Sequence, residues 1–383
     1  MNCRQLTHLL LLLLTLLGIS TTIQAKEIWR NVARIVAVGD LHGDYEQYLK
    51  VLHDNKLIDS NLDWQGGKTH LVQLGDIADR GPDSLKIMRH LKKLQKQAKK
   101  ARGVVHTLIG NHELMNVKAD LRYVHPGEYQ ILITHKSDKL RADYLSRVFD
   151  YLLSENPTLL ETKDTKMREL RNRFPLGYVE HRYLWAPKGE VFEWIRKGNS
   201  TIKINNALFV HGGISPHKEL LSLKEINRRI RRALSSGIKP STDWLALDDG
   251  PLWYRGFAFN SKEVELEPLK RMLAFYEADY IVVAHTPTKG AIMSRFGGLV
   301  IQVDVGVAEH YGKKRANLVI EGAERFAMHR GHIIRLPKDQ RELLEYLETA
   351  SGYDPVPSPL IQTIEKLKSK QSQEDSELTR LQR

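Results

Sequence analysis

Five short stretches of this chain carry the side chains able to do chemistry. Gly39-Asp40-Leu41-His42-Gly43-Asp44-Tyr45, Gly75-Asp76-Ile77-Ala78-Asp79-Arg80-Gly81 and Gly110-Asn111-His112-Glu113 are followed by His211-Gly212-Gly213 and Ala284-His285. Carboxylate oxygens, imidazole nitrogens and an amide oxygen are ligands for divalent transition ions. Two such ions about 3.5 to 4 Å apart can share a water-derived hydroxide and clamp a phosphoryl group. A single histidine is usually an ordinary core or surface side chain. Five motifs in one kind of setting are a site.

That setting is a strand end. Ile35 to Val38, Leu71 to Leu74 and Val104 to Ile109 precede the first three motifs, and Ala207 to Val210 and Tyr280 to Val283 precede the two later histidines. Each run is short, apolar and β-prone, as expected of a strand buried on both faces. Loops at the carboxyl ends of such strands are where open α/β sheets hold ligands, because the scaffold is rigid and the backbone can approach.

The order of these motifs resembles the PPP class of metallophosphatases within the calcineurin-like phosphoesterases, and in particular the bacterial Shewanella-like branch, over about Ile35 to Asp304. The resemblance implies an α/β fold, a sandwich of two mixed β-sheets flanked by helices, with a helical insertion near the active site. It also implies two divalent metal ions, of which Mn, Fe and Zn are candidates. Asp40, His42 and Asp76 would hold one, and Asp76, Asn111, His211 and His285 the other, so that Asp76 bridges. His112 would be the general acid, Asp79 its orienting carboxylate, and Arg80 a phosphate-binding residue, with Asn111 beside it. Arg255, in Trp253-Tyr254-Arg255-Gly256, is the matching place for a second such arginine. The implied reaction is hydrolysis of a phosphate monoester by direct attack of a metal-bound hydroxide, without a covalent intermediate.

Close relatives differ at informative positions. Diadenosine tetraphosphate hydrolases resemble the chain around Gly81 to Leu85, but usually carry alanine where Asp79 stands and aspartate where Glu113 stands. Monoester hydrolysis is therefore favoured over dinucleotide polyphosphate cleavage. A silent phosphopeptide-binding module would have lost metal ligands or the acid, and none is missing. Phosphorylated proteins or small monoesters are the expected partners, with a lean to phosphotyrosine implied by the branch. The C-terminal loop that covers the active site in eukaryotic relatives has no recognisable counterpart, so the resemblance does not carry over sensitivity to inhibitors that bind there.

The rest of the chain sets the surroundings. Residues 1–25 have one charge, Arg4, an apolar run from Leu9 to Leu17, and Ile23-Gln24-Ala25 before Lys26. This reads as a secretory signal rather than a span, which needs about 20 apolar residues. Export to the periplasm or beyond follows, and the mature chain would contain no cysteine, Cys3 being the only one. The catalytic domain is expected over 26–340, with a C-terminal helix and polar tail over 341–383 that turns loose or frayed after about Tyr353. The net charge of +12 draws heavily on Lys86 to Arg102, where Leu85, Met88, Leu91, Leu94 and Ala98 recur at helical spacing. A solvated basic face on a covering helix is the expected reading, without specific nucleic-acid binding. Oligomeric state is not legible. Residues 114–205, most of the long connection from Glu113 to His211, read as a helical insertion, with helices expected at 141–153 and 191–195. Tyr183, Trp185, Phe192 and Trp194 could line a substrate groove or only close the insertion's own core. His125, His135 and His181 follow no apolar strand and are not expected to bind metal, and Asp304 is expected behind the site rather than as a ligand.

Overall fold

A computed structural model describes residues 26–381 apart from 238, 240 and 241. The segment read as an export signal lies outside the described residues. Two six-stranded mixed sheets form the centre. One has the order β1-β5-β6-β7-β9-β8, built from Ile28–Trp29, Thr201–Ile204, Ala207–Val210, Tyr280–Val283, Val300–Gln302 and Met293–Arg295. The other has the order β12-β11-β10-β2-β3-β4, from His332–Arg335, Glu324–His329, Ala316–Glu321, Arg34–Val38, His70–Gln73 and Val104–Thr107. Helices such as Ser84–Lys100, against β4, and Leu223–Ser235, against β5, flank them. Residues of both sheets share one apolar core.

Register explains why the motifs meet. β2, β3 and β4 are parallel, with Val38 opposite Gln73 and Gln73 opposite Thr107. β6, β7 and β9 are parallel in the other sheet, with Val210, Val283 and Gln302 in one row. Strand carboxyl ends therefore align within each sheet, and the loops that follow all leave from one rim. Isoleucine, valine and leucine fill these strands because both faces are covered. β4 is shorter than its apolar run: Leu108 leaves the ladder to bridge Asn199.

The basic helix buries all five of the apolar residues that defined it and ends at Lys100. The helices read at 141–153 and 191–195 lie within Ser137–Glu155 and Glu190–Ile195. Leu145, Phe149 and Leu170 form a small core belonging to the insertion alone. Trp185 and Phe192 instead join the main core, Trp194 packs on its margin and Tyr183 faces solvent. Trp194 Nε1 donates to Gln95 at 3.0 Å, which ties this end of the insertion to Ser84–Lys100. Past Tyr353 the chain is tied to β11 before it runs into a last helix. Helix Ile361–Leu381 begins with Leu360 and Ile364 buried, and Asp354 bonds His329 at 3.0 Å and Arg330 at 2.8 Å. Among the described residues no helix is long and apolar enough to cross a membrane.

Phe209 stands fully buried on β6, two residues before His211. Phe209→Ala is expected to destabilise the fold by about 3 to 5 kcal/mol, read as a lower urea midpoint.

Candidate active site

The six predicted ligands converge and all are buried. His42 turns Nδ1 to the Ala78 carbonyl at 3.0 Å, and His211 turns Nδ1 to Leu74 O at 2.9 Å. Each Nε2 is thereby aimed into the site, a fixed tautomer and ring orientation of the kind metal-binding histidines use. His42 Nε2 is 3.7 Å from Asp40 Oδ2, and His211 Nε2 is 3.2 Å from Asp76 Oδ2 and 2.9 Å from Asn111 Oδ1. Two constellations have all their ligand atoms within 4.8 Å of one another: His42, Asp76 and His112, and Asp76, His211 and His285. Asp76 belongs to both.

The charges fit a cation site. Burial pushes both His42 and His211 down, yet Asp40 and Asp76 more than offset it and bring each up to about 9. Burial likewise penalises the Asp76 carboxylate, but His211, His112 and His42 hold it well below the usual range. His285 falls to about 2 through burial and the neighbouring His211. Its Nε2 is buried without a partner. The carboxylates favour positive charge here, and a buried imidazole nitrogen without a hydrogen-bond partner is a donor that a metal ion can use. The donor set fits divalent ions.

The loops are strained where the chemistry sits. His42, Asp76, Asp79, Arg80 and His285 have φ of 44°, 54°, 71°, 67° and 64°. Left-handed backbone at a non-glycine residue costs on the order of 1 to 3 kcal/mol, so the surroundings must enforce it. Leu41 and His42 donate to Asp76 O, and Gly43 to Ile77 O. Glu113 does most. Its carboxylate accepts the N–H groups of Gly110 at 2.8 Å, Asp76 at 2.9 Å, Ile77 at 2.9 Å and Ala78 at 3.2 Å. From sequence, Glu113 served only to separate relatives.

His112 and Asp79 pair at 2.6 Å, Nδ1 to Oδ2, leaving His112 Nε2 facing the metal ligands, 3.8 Å from Asp76 Oδ2. Arg80 lies over the Tyr123 ring at 3.9 Å, and its Nε has no partner. Arg255, at the exposed rim, bonds His285 O at 3.0 Å and Thr286 Oγ1 at 2.9 Å. Asp304 backs Asp40: burial and that neighbouring charge push its carboxyl well up. His125 caps a short helix by accepting from Gly127 N–H, His135 is exposed, and His181 packs against Tyr129 and Trp185. A loop between β9 and β10 crosses this rim. Tyr311, between β9 and β10, sets its ring 5.3 Å from His42, and Glu309 N–H bonds Asp44 at 2.8 Å. Tyr123 and Tyr311 went unread because neither follows a strand or joins a motif.

The profile of the calcineurin-like phosphoesterases matches residues 33–289. The chain belongs to that family. It is 31% identical over 324 residues to an uncharacterized protein of Schizosaccharomyces pombe, covering 79% of this chain and 82% of that one. Shewanella-like protein phosphatase 2 of Arabidopsis thaliana is 28% identical, with 72% of each chain covered. Among solved structures, the cold-active protein-tyrosine phosphatase of a psychrophile Shewanella sp. superposes with a TM-score of 0.63 at 29% identity, covering 82% of this chain and 83% of that one. This phosphoesterase is therefore a phosphoester hydrolase of a family that uses divalent metals, and its histidine and aspartate clusters suit them.

Two predictions follow from the packing. A Cβ at Gly110 would fall 2.2 Å from Asp76 Oδ1 and 2.4 Å from Asp76 N, so Gly110→Ala should displace Asp76 and lower the Mn²⁺ bound per chain, measured by elemental analysis after gel filtration. Glu128 is buried, and that burial, opposed by its Ser84 hydrogen bond and reinforced by the Asp79 charge, pushes its carboxyl up to about 8. A raised carboxyl stabilises fully below its unfolded value, about 4.3, and that contribution is lost as pH rises through about 8. Glu128→Gln should therefore flatten the fall in melting temperature between these limits.

Proposed function

We propose that this phosphoesterase is an exported phosphomonoesterase with a dinuclear metal site, acting on phosphoproteins with a lean to phosphotyrosine. The observation that carries the reading is the His112–Asp79 pair at 2.6 Å, set beside an Asp76 shared by both ligand constellations. A bridging carboxylate with an acid next to it suits hydrolysis of a monoester. The names of the Shewanella-like phosphatase and of the tyrosine phosphatase at similar fold support the substrate class. Export rests on the character of residues 1–25.

Asp40, His42 and Asp76 would hold one ion, and Asp76, Asn111, His211 and His285 the other, with Mn, Fe or Zn as candidates. When bound, the ions supply an activated water and neutralise phosphoryl charge. The chain's own residues do the rest. Arg80, with an unpartnered Nε, and Arg255 bind non-bridging oxygens through planar forks. Tyr123 holds the Arg80 guanidinium flat at 3.9 Å. His112 carries the proton at Nε2 for the departing oxygen, while Asp79 takes Nδ1–H and fixes the ring.

Phosphate release from phosphotyrosine, phosphoserine and phosphothreonine peptides, free nucleotides and diadenosine tetraphosphate, with added Mn²⁺, tests this reading. The phosphotyrosine peptide should be fastest, and His112→Asn should lower its kcat by about a hundredfold or more. Preference for diadenosine tetraphosphate, or equal rates in His112→Asn, would contradict it.

A further inference from the structure

The motif that contains the strained Asp79–Arg80 dipeptide reaches it through Gly81 N–H, which donates to Asp79 O at 2.8 Å; its other partners come from elsewhere in the chain. Asp79 Oδ2 is committed to His112, and its other oxygen accepts from Asn116 Nδ2 at 2.9 Å. Asn116 is fully buried and also donates to His112 O at 3.0 Å, so one amide ties both members of the pair. The Asp79 N–H is taken by the Glu128 carboxyl, which is buried and bonded to Ser84 Oγ as well. The Arg80 N–H is taken by Tyr123 O at 3.0 Å, and the Tyr123 ring lies 5.2 Å from that of His112. Arg182, half-buried beside Tyr129, Tyr144 and Tyr178, donates to Asn116 O at 2.6 Å. That carbonyl sits near the end of helix Asn111–Val117, where a cation and a donor are both favourable.

Asn116, Tyr123, Glu128 and Arg182 all lie between Glu113 and His211. The insertion thus supplies a partner for both backbone N–H groups of the strained dipeptide and for the second oxygen of Asp79. With Oδ1 fixed by Asn116, the Asp79 carboxylate cannot rotate away, and the His112 ring keeps its angle. The insertion's own small core and its aromatic cluster of Tyr129, Tyr144, Phe174 and Tyr178 give these contacts a rigid base.

We propose that Asn116, Glu128 and Arg182 are positioning residues through which the insertion sets the geometry of the His112–Asp79 pair, and with it the enzyme's ability to expel poor leaving groups. The proposal rests on the reading of His112 as the acid. Proton delivery to the departing oxygen matters most when that oxygen is basic, so misplacing His112 penalises phenyl phosphate and spares 2,4-dinitrophenyl phosphate. A contact that only supports folding lowers both alike.

The test compares the two substrates in the Mn²⁺-loaded full enzyme. Asn116→Ala, Arg182→Gln and Glu128→Ala should each lower kcat on phenyl phosphate by about tenfold or more, with KM within about twofold and 2,4-dinitrophenyl phosphate within about twofold. Glu128→Gln, which keeps an acceptor oxygen for the Asp79 N–H, should recover most of the loss. Equal losses on both substrates, or none, would overturn the proposal. His112→Asn is the reference: if it too is blind to the leaving group, the acid assignment fails and the proposal with it. If wild type and His112→Asn behave as expected while the insertion variants do not, only the positioning role is lost. Thermal melting reports folding, and should an alanine variant not fold, Asn116→Ser and Arg182→Lys are judged by the same ratio.

Discussion

One buried carboxylate accepts four backbone N–H groups, and the active site depends on it. Glu113 reaches from the third motif to Asp76, Ile77 and Ala78 of the second while capping Gly110 of its own. Those bonds, together with the Leu41 and His42 N–H groups on Asp76 O, oppose the left-handed strain at Asp76, whose φ is 54°. Asp76 in turn is the residue shared by both ligand constellations, so these backbone contacts set the position of the carboxylate common to both. The glycines serve the same approach. Gly75 and Gly110 stand where any Cβ would strike the neighbouring loop.

Strain, charge and position are linked here. The sheets bring strand ends into two aligned rows, the loops turn back on themselves to point side chains inward, and the resulting crowd of carboxylates demands positive charge. Divalent ions of the kind the family uses would meet that demand and would supply an activated water there. The protein's contribution is arrangement: Asp79 fixes an imidazole, Tyr123 a guanidinium, and His42 and His211 each have Nδ1 tied to a backbone carbonyl.

Much of this was legible in the chain because the ligands are local to strand ends. Asp40, His42, Asp76, Asn111, His211 and His285 each follow an apolar β run directly, so the pattern that identifies the strand also identifies the loop. Asn116, Glu128, Arg182 and Tyr311 were not legible, since their importance comes from contacts across long stretches of chain. Helical spacing likewise shows that Trp185 and Phe192 are buried without showing against what. They pack into the main core. The polar composition of the C-terminal segment likewise does not show that Leu360 and Ile364 are buried or that Asp354 bonds His329 of β11.

The central claim is that Asp76 is shared by two ions. Diffraction from crystals grown with Mn²⁺, recorded at the manganese absorption edge, tests it directly. Two anomalous peaks about 3.5 to 4 Å apart, with Asp76 between them, are the result this account predicts. A single peak, or two peaks that leave Asp76 unligated, would contradict it.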